Sequence, residues 1–190
     1  MIRVNENPPA RFPAGPIAMA QSPWWVAKVK PRQEKALAFD FMRNNIEYYL
    51  PLVTHVTRRR DNNKPRKSIL PLFPGYISFC GQHRSAQGVY KTGRVVSIIP
   101  VKYQRRFIDE LTQIYQAIET GAALEPVTVS YPQGTAVSVI AGPLRGLKGV
   151  IARVRDSDRL VLSVAGLGQA SMYVDASMVK PDEPLPAPQV

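Results

Sequence analysis

From Gly134 to about Lys180 the chain carries short strand patterns only, and this stretch constrains the fold more than any other. The runs "TAVSVIA", "GVIARV", "RLVLSVA", "ASMYV" and "SMVK" are separated by "GPLRGLK", "RDSD" and "GLGQ". Those spacers are rich in Gly, Pro, Asp and Ser, the residues that set the φ values of turns. Strands this short and closely spaced predict a small five-stranded β-barrel, which removes exposed sheet edges by closing on itself.

Upstream the pattern is mixed. "WWVAKVK", Trp24 to Lys30, alternates as a strand. "PRQEKALAFDFMRNN" has Pro31 at a helix start and Ala36, Leu37, Phe41 and Met42 as a helical stripe. "IEYYLPLVTHVTRR" reads as a second strand and "SILPLFPGYISF" as a third. Between them lies a polar turn, so the pair predicts a long hairpin with a basic tip. "GVYKTGRVVSIIP" is a short helix or turn running into a strand. Phe107, Leu111, Ile114, Tyr115 and Ile118 fall on one face of an amphipathic helix. The expected class is α+β, an antiparallel sheet flanked by helices and followed by the small barrel. The expected divisions are a Pro-rich disordered tail over 1–22, a first domain over 23–120 and a linker over 121–130. The barrel domain follows over 131–181, with a second tail over 182–190.

With 25 Lys and Arg against 14 Asp and Glu, the 190-residue chain has a net charge of +11, which points to a polyanionic partner. Catalysis finds no support in the residue pattern. His55, His83 and Cys80 have no zinc-site spacing. Lys91-Thr92-Gly93 and Ser177 with Lys180 stand in the wrong order for a penicillin-recognising enzyme. "GVYKTG" lacks phosphate-loop spacing. No enzyme, metal or cofactor is expected. A single cysteine excludes an internal disulfide, no apolar run reaches membrane-span length, and prolines break up the N-terminus as a signal peptide. A cytoplasmic monomer without membrane contact is the expectation.

The stretch "PLFPGY" interrupts an apolar strand with Pro74 and Gly75 between the rings of Phe73 and Tyr76. Such a break marks either a bent edge strand whose rings fill the sheet's own core or a surface on which something else packs. Taken in order, "WWVAKVKPRQEKA", "PLFPGYISF" and "GTAVSVIAGPLRGLKGVIARV" resemble the NusG family of transcription elongation factors over about Trp24 to Pro181. The second part resembles a KOW domain, with Gly142, Gly146 and Gly149 on its glycine pattern. The resemblance implies that Phe73, Pro74, Gly75 and Tyr76 bind the clamp helices of the largest subunit of RNA polymerase. They would form an aromatic ridge open to solvent. It further implies that Leu144, Leu147 and Leu167, on turns of the KOW domain, touch a small ribosomal subunit protein or Rho.

The specialised, RfaH-like branch of the family is also resembled. In that register Lys30, Arg43, Asn44 and Arg94 fall where such factors meet the non-template DNA strand; as residues alone they equally suit a solvated surface. Lys28 and Ser78 depart from that branch's aromatic contacts, and Gln169 replaces an arginine common in the housekeeping protein. At the hairpin tip Arg58, Arg59, Arg60, Lys64, Arg66 and Lys67 stand against Asp61 alone, either as a solvated loop or as a contact for DNA or nascent RNA. The implied function is transcription elongation and antitermination by a specialised, operon-specific paralog. A housekeeping general factor and a ribosome-associated RNA-binding KOW protein are the alternatives.

Overall fold

The computed structural model describes residues 7–17, 22–58, 63–82, 88–127, 134–154 and 157–182. The first strand to consider is Trp24–Val29, because its alternation puts Trp24 and Val26 on one face and Trp25, Ala27 and Val29 on the other. In chain order the first unit holds β1 (Arg11–Phe12), β2 (Trp24–Val29), α1 (Glu34–Arg43), β3 (Glu47–Tyr49), β4 (Leu52–Arg58), β5 (Pro65–Pro71), β6 (Tyr76–Cys80), β7 (Val95–Pro100) and α2 (Gln104–Glu119). Five of these strands make an antiparallel sheet in the order β1-β3-β6-β2-β7, while among the described residues β4 and β5 pair only with each other.

One face of the five-stranded sheet is closed by α1, whose Leu37, Ala38 and Phe41 join Ala27, Val29, Tyr48, Ile77 and Phe79 in one core. On the other face, Phe107, Leu111, Ile114 and Ala117 of α2 pack with Trp24, Val26 and Tyr49. Each such large side chain removed from water stabilises the fold by about 1.5–3 kcal/mol. Gln104 fixes the start of α2 to the sheet, its Oε1 accepting from the Trp24 N–H at 2.7 Å and its Nε2 donating to the Trp24 carbonyl at 3.0 Å.

The second unit is antiparallel throughout. β9 (Thr135–Val139), β10 (Lys148–Val154), β11 (Ser157–Val164), β12 (Gly168–Met172) and β13 (Val179–Pro181) are the five strands expected, and β8 (Glu125–Val127) adds a sixth, in the order β13-β9-β10-β11-β12-β8. Gly149 is where β10 passes closest to β11: a Cβ there would lie 2.5 Å from the Val161 carbonyl oxygen. Only glycine permits that approach.

Three expectations are corrected. Part of the N-terminal stretch read as a disordered tail is docked, because β1 adds to β3 with Arg11 opposite Tyr49 and Phe12 opposite Tyr48, and Ile17 is buried. The Arg11 Nη2 donates to Glu47 Oε1 at 2.5 Å and its Nε to the Gly15 carbonyl at 2.8 Å, while its guanidinium lies over the Trp24 ring. Within the stretch read as a linker, Glu125 to Val127 pair with β12. Finally, each of two strands read as continuous is split: Pro51 separates β3 from β4, and the 72–75 turn separates β5 from β6, so the chain leaves the sheet as a hairpin and returns. Residues 183–190, in the region read as the second tail, lie outside the described residues.

Candidate functional site

The ridge is built by the turn that brings the hairpin back into the sheet. The Leu72 N–H donates to the Pro51 carbonyl at 2.8 Å and the Tyr76 N–H to the Phe73 carbonyl at 3.2 Å. Gly75 has φ 85, a left-handed value that only glycine adopts without strain. Its N–H donates to Glu34 Oε1 at 2.7 Å, and its carbonyl accepts from the Val29 N–H at 2.7 Å. α1 and β2 therefore both hold the turn. Pro74 is exposed and Gly75 and Tyr76 are half-buried.

Phe73 is not open to solvent. Only 4% of it is exposed, which corrects the expectation of a bare ridge. The cover comes from the second unit as well as from the sheet. Phe73 clusters with Val164, Leu167 and Ala170, and a Cβ placed on Gly168 would lie 3.5 Å from its Cδ1. The reason is geometric: the turn aims the ring at the face of the sheet shared by α2 and the second unit. The same seam is held by polar contacts. Glu110 Oε2 accepts from the Ala165 N–H at 2.8 Å, and Gln113 Oε1 accepts from the Lys148 N–H at 2.6 Å. Leu147 and Leu167 are buried and Leu144 is half-buried, so in this state the turn leucines face inward. Glu110 and Gln113 escaped the sequence reading. Their only signal is a pair of polar residues, one turn apart, beside the apolar stripe of α2.

Of the four residues matched to non-template DNA, Arg43, Asn44 and Arg94 meet around Asp40 of α1. Lys30 lies before the start of that helix and reaches Arg94 through its backbone. Asp40 Oδ2 accepts from Arg94 Nε at 2.7 Å, and Asp40 Oδ1 from Arg43 Nη1 at 3.0 Å. Arg94 also donates through Nη1 to Gln33 Oε1. Asn44 Nδ2 donates to the Asp40 carbonyl at 2.7 Å, and the Lys30 N–H donates to the Arg94 carbonyl at 2.9 Å. A groove of about 540 Å³ lies here, lined by Asp40, Asn44, Lys91, Thr92 and Arg94 among others. Arg94 is thus held in place, whereas Arg43, whose side chain is 65% exposed, keeps a pair worth little in water.

On the hairpin, Arg58, Lys64, Arg66 and Lys67 are exposed; Arg59 and Arg60 lie outside the described residues. The root is braced by Lys35, whose Nζ donates to the Ile69 carbonyl at 2.6 Å. Burial lowers the Lys35 pKa, with Glu34 opposing. His55 is exposed on β4. Cys80 is buried, its Sγ donating to the Ser22 carbonyl at 2.8 Å, and burial pushes its thiol up to about 11. Among the described residues no group of three or more His, Cys, Asp or Glu could hold a metal ion, and no helix is long and apolar enough to cross a membrane.

A family model described as "Transcription termination factor nusG" matches residues 22–130, more than half of the chain. Among solved structures, "Domain interaction in Thermotoga maritima NusG" is similar at 17% identity and a TM-score of 0.46, covering 86% of this chain and 98% of that one. "Crystal Structure of MjSpt4:Spt5 complex conformation B" is similar at 15% identity and a TM-score of 0.30, covering 83% of this chain and 95% of that one. No curated protein matches the chain.

Proposed function

The chain belongs to the NusG family of transcription factors, and from that premise we propose that it is an elongation and antitermination factor working by mechanical bridging. Its first unit docks on the clamp helices of the largest subunit of RNA polymerase through Phe73, Pro74, Gly75 and Tyr76. Lys30, Arg43, Asn44 and Arg94 meet the non-template DNA strand, and the basic hairpin meets nucleic acid beside it. The second unit, a KOW domain, engages a small ribosomal subunit protein or Rho through Leu144, Leu147 and Leu167. No reaction is needed: a factor with higher affinity for the active polymerase conformation shifts the population toward it.

One observation carries this reading. Phe73 is buried at a seam between two units, next to an exposed Pro74, and lifting the barrel would bare an aromatic anchor of the kind that dominates interfaces. The arrangement described is then the closed state. Any closed fraction lowers the apparent affinity for polymerase in proportion, so a chain closed 99% of the time binds about a hundredfold more weakly than its open form. A factor restrained in this way suits the specialised branch, which acts at selected operons in the cytoplasm, better than a general factor.

Capture of RNA polymerase from the source cell tests the proposal. The wild-type chain should retain polymerase, and Phe73→Ala should lose at least tenfold in retention. Capture of ribosomes without polymerase would replace this reading with that of an RNA-binding KOW protein.

A further inference from the structure

We propose that the outer half of the β4–β5 hairpin is an arm for B-form duplex DNA, lying in the major groove. This inference rests on the nucleic-acid reading of the hairpin above and narrows it to one form of nucleic acid. β4 and β5 make a sheet of their own. Opposite residues share a face, so the register of Val56 with Lys67 and Arg58 with Pro65 places Lys67 and Arg58 on one side. Thr57 pairs with Arg66 on the other side. Positive charge therefore flanks the ribbon from both faces. Residues 52–58 and 63–71 contain no Asp or Glu to oppose it.

Three physical facts select the form of the partner. Proteins that hold single strands stack bases on aromatic rings, and residues 52–58 and 63–71 contain no Phe, Tyr or Trp. The major groove of an A-form RNA duplex is too narrow for side chains to read, whereas that of B-DNA, about 12 Å wide, admits a two-stranded ribbon. Within such a groove, cations on both faces reach the phosphates of both walls. The Lys35 bond to the Ile69 carbonyl braces the root from which the arm projects.

The test is a salt titration of the full-length chain with three probes: a DNA duplex of about 20 base pairs, one strand of it, and an RNA duplex of the same sequence. The DNA duplex should bind at least tenfold tighter than the RNA duplex. In R66Q/K67Q the slope of log K against log salt on duplex DNA should flatten by about 1.8, since each phosphate contact contributes about 0.9. Binding of the single strand should be unchanged by the double substitution. An unchanged duplex slope would overturn the arm altogether. Equal weakening on all three probes would overturn the groove and keep a general nucleic-acid contact. Polymerase capture by the same variant separates this result from the wider reading: if wild type and variant both fail to retain polymerase while the duplex result holds, the arm stands and the elongation reading falls.

Discussion

Phe73 and Gly168 meet across the seam between the two units, the ring filling the space that a side chain on residue 168 would need. A Cβ alone would sit at ordinary contact distance, 3.5 Å from Phe73 Cδ1, but a longer side chain would collide with the ring. Gly168→Leu should therefore open the seam, while Gly168→Ala isolates the backbone strain of replacing a glycine at φ 138. The expected readout is hydrogen exchange of the Ala165 amide, which is bonded to Glu110 in the closed state. It should exchange at least tenfold faster in Gly168→Leu than in Gly168→Ala. Equal protection would show that the ring and residue 168 do not hold the units together.

The polar side of the same seam gives a second prediction. Glu110→Ala with Gln113→Ala removes the acceptors for the Ala165 and Lys148 amides without touching Phe73. Each such bond contributes about 0.5–1.5 kcal/mol net, and about 1.5–3 where the acceptor is charged. Together they bias closure enough that the double variant should retain polymerase about tenfold better than wild type. A variant that binds no better, with the seam shown open by exchange, would mean that closure does not limit binding.

Gly75 is a separate case, because no atom lies within 4 Å of the Cβ it lacks and the cost of substitution is backbone strain alone. At φ 85, Gly75→Ala should lower the unfolding free energy by about 1–2 kcal/mol. Urea denaturation of the full chain measures this. A shift below a few tenths of a kcal/mol would mean the turn relaxes to another conformation.

The sequence carried what local patterning can carry. The period of α2, the alternation of β2 and five short strands in the second unit appear close to where the residues predicted them, since each depends on neighbours a few positions apart. The closure of a barrel does not, and the strands form a six-stranded sheet with β8 at one end and β13 at the other. What it did not carry was long-range. β1 is two residues long, too short for periodicity, and it exists because Arg11 finds Glu47 and Trp24 across the fold. β8 contains Pro126 and reads as a spacer until β12 offers an edge. The kink at Pro74-Gly75 was legible as a break, but the burial of Phe73 depends on residues more than 90 positions further along the chain.

Arg11 tests the docked N-terminal strand. Its side chain is 7% exposed and pairs with Glu47, itself 22% exposed. Arg11→Ala leaves the Glu47 carboxylate half-buried without its partner and withdraws the cation over Trp24. Breaking a buried pair from one side costs about 3–5 kcal/mol, and the partial exposure of Glu47 reduces this to about 2 kcal/mol. The Arg11→Met, Glu47→Leu pair replaces both charges together and should recover more than half of that loss. An Arg11→Ala chain as stable as wild type would mean that β1 contributes nothing to the folded state.

Cys80 supplies a pH dependence whose sign follows from its surroundings. Burial disfavours the thiolate, the nearby Glu47 adds to the effect, and the pKa rises from 9.0 to about 11. A raised folded-state value means that the native protein holds its proton more tightly than the unfolded chain does. The thiol's contribution to stability is then complete below about pH 9 and is lost as the pH climbs through about 11. Two measurements check it. Native protein at pH 8 should react with iodoacetamide at least a hundredfold more slowly than the urea-unfolded chain, because the thiolate is the nucleophile and the sulfur is covered. Between pH 9 and pH 11, wild type should lose more stability than Cys80→Ala, which has no proton to release. Parallel pH profiles for the two chains would show that the sulfur stays close to its ordinary value and that water reaches it in the native state.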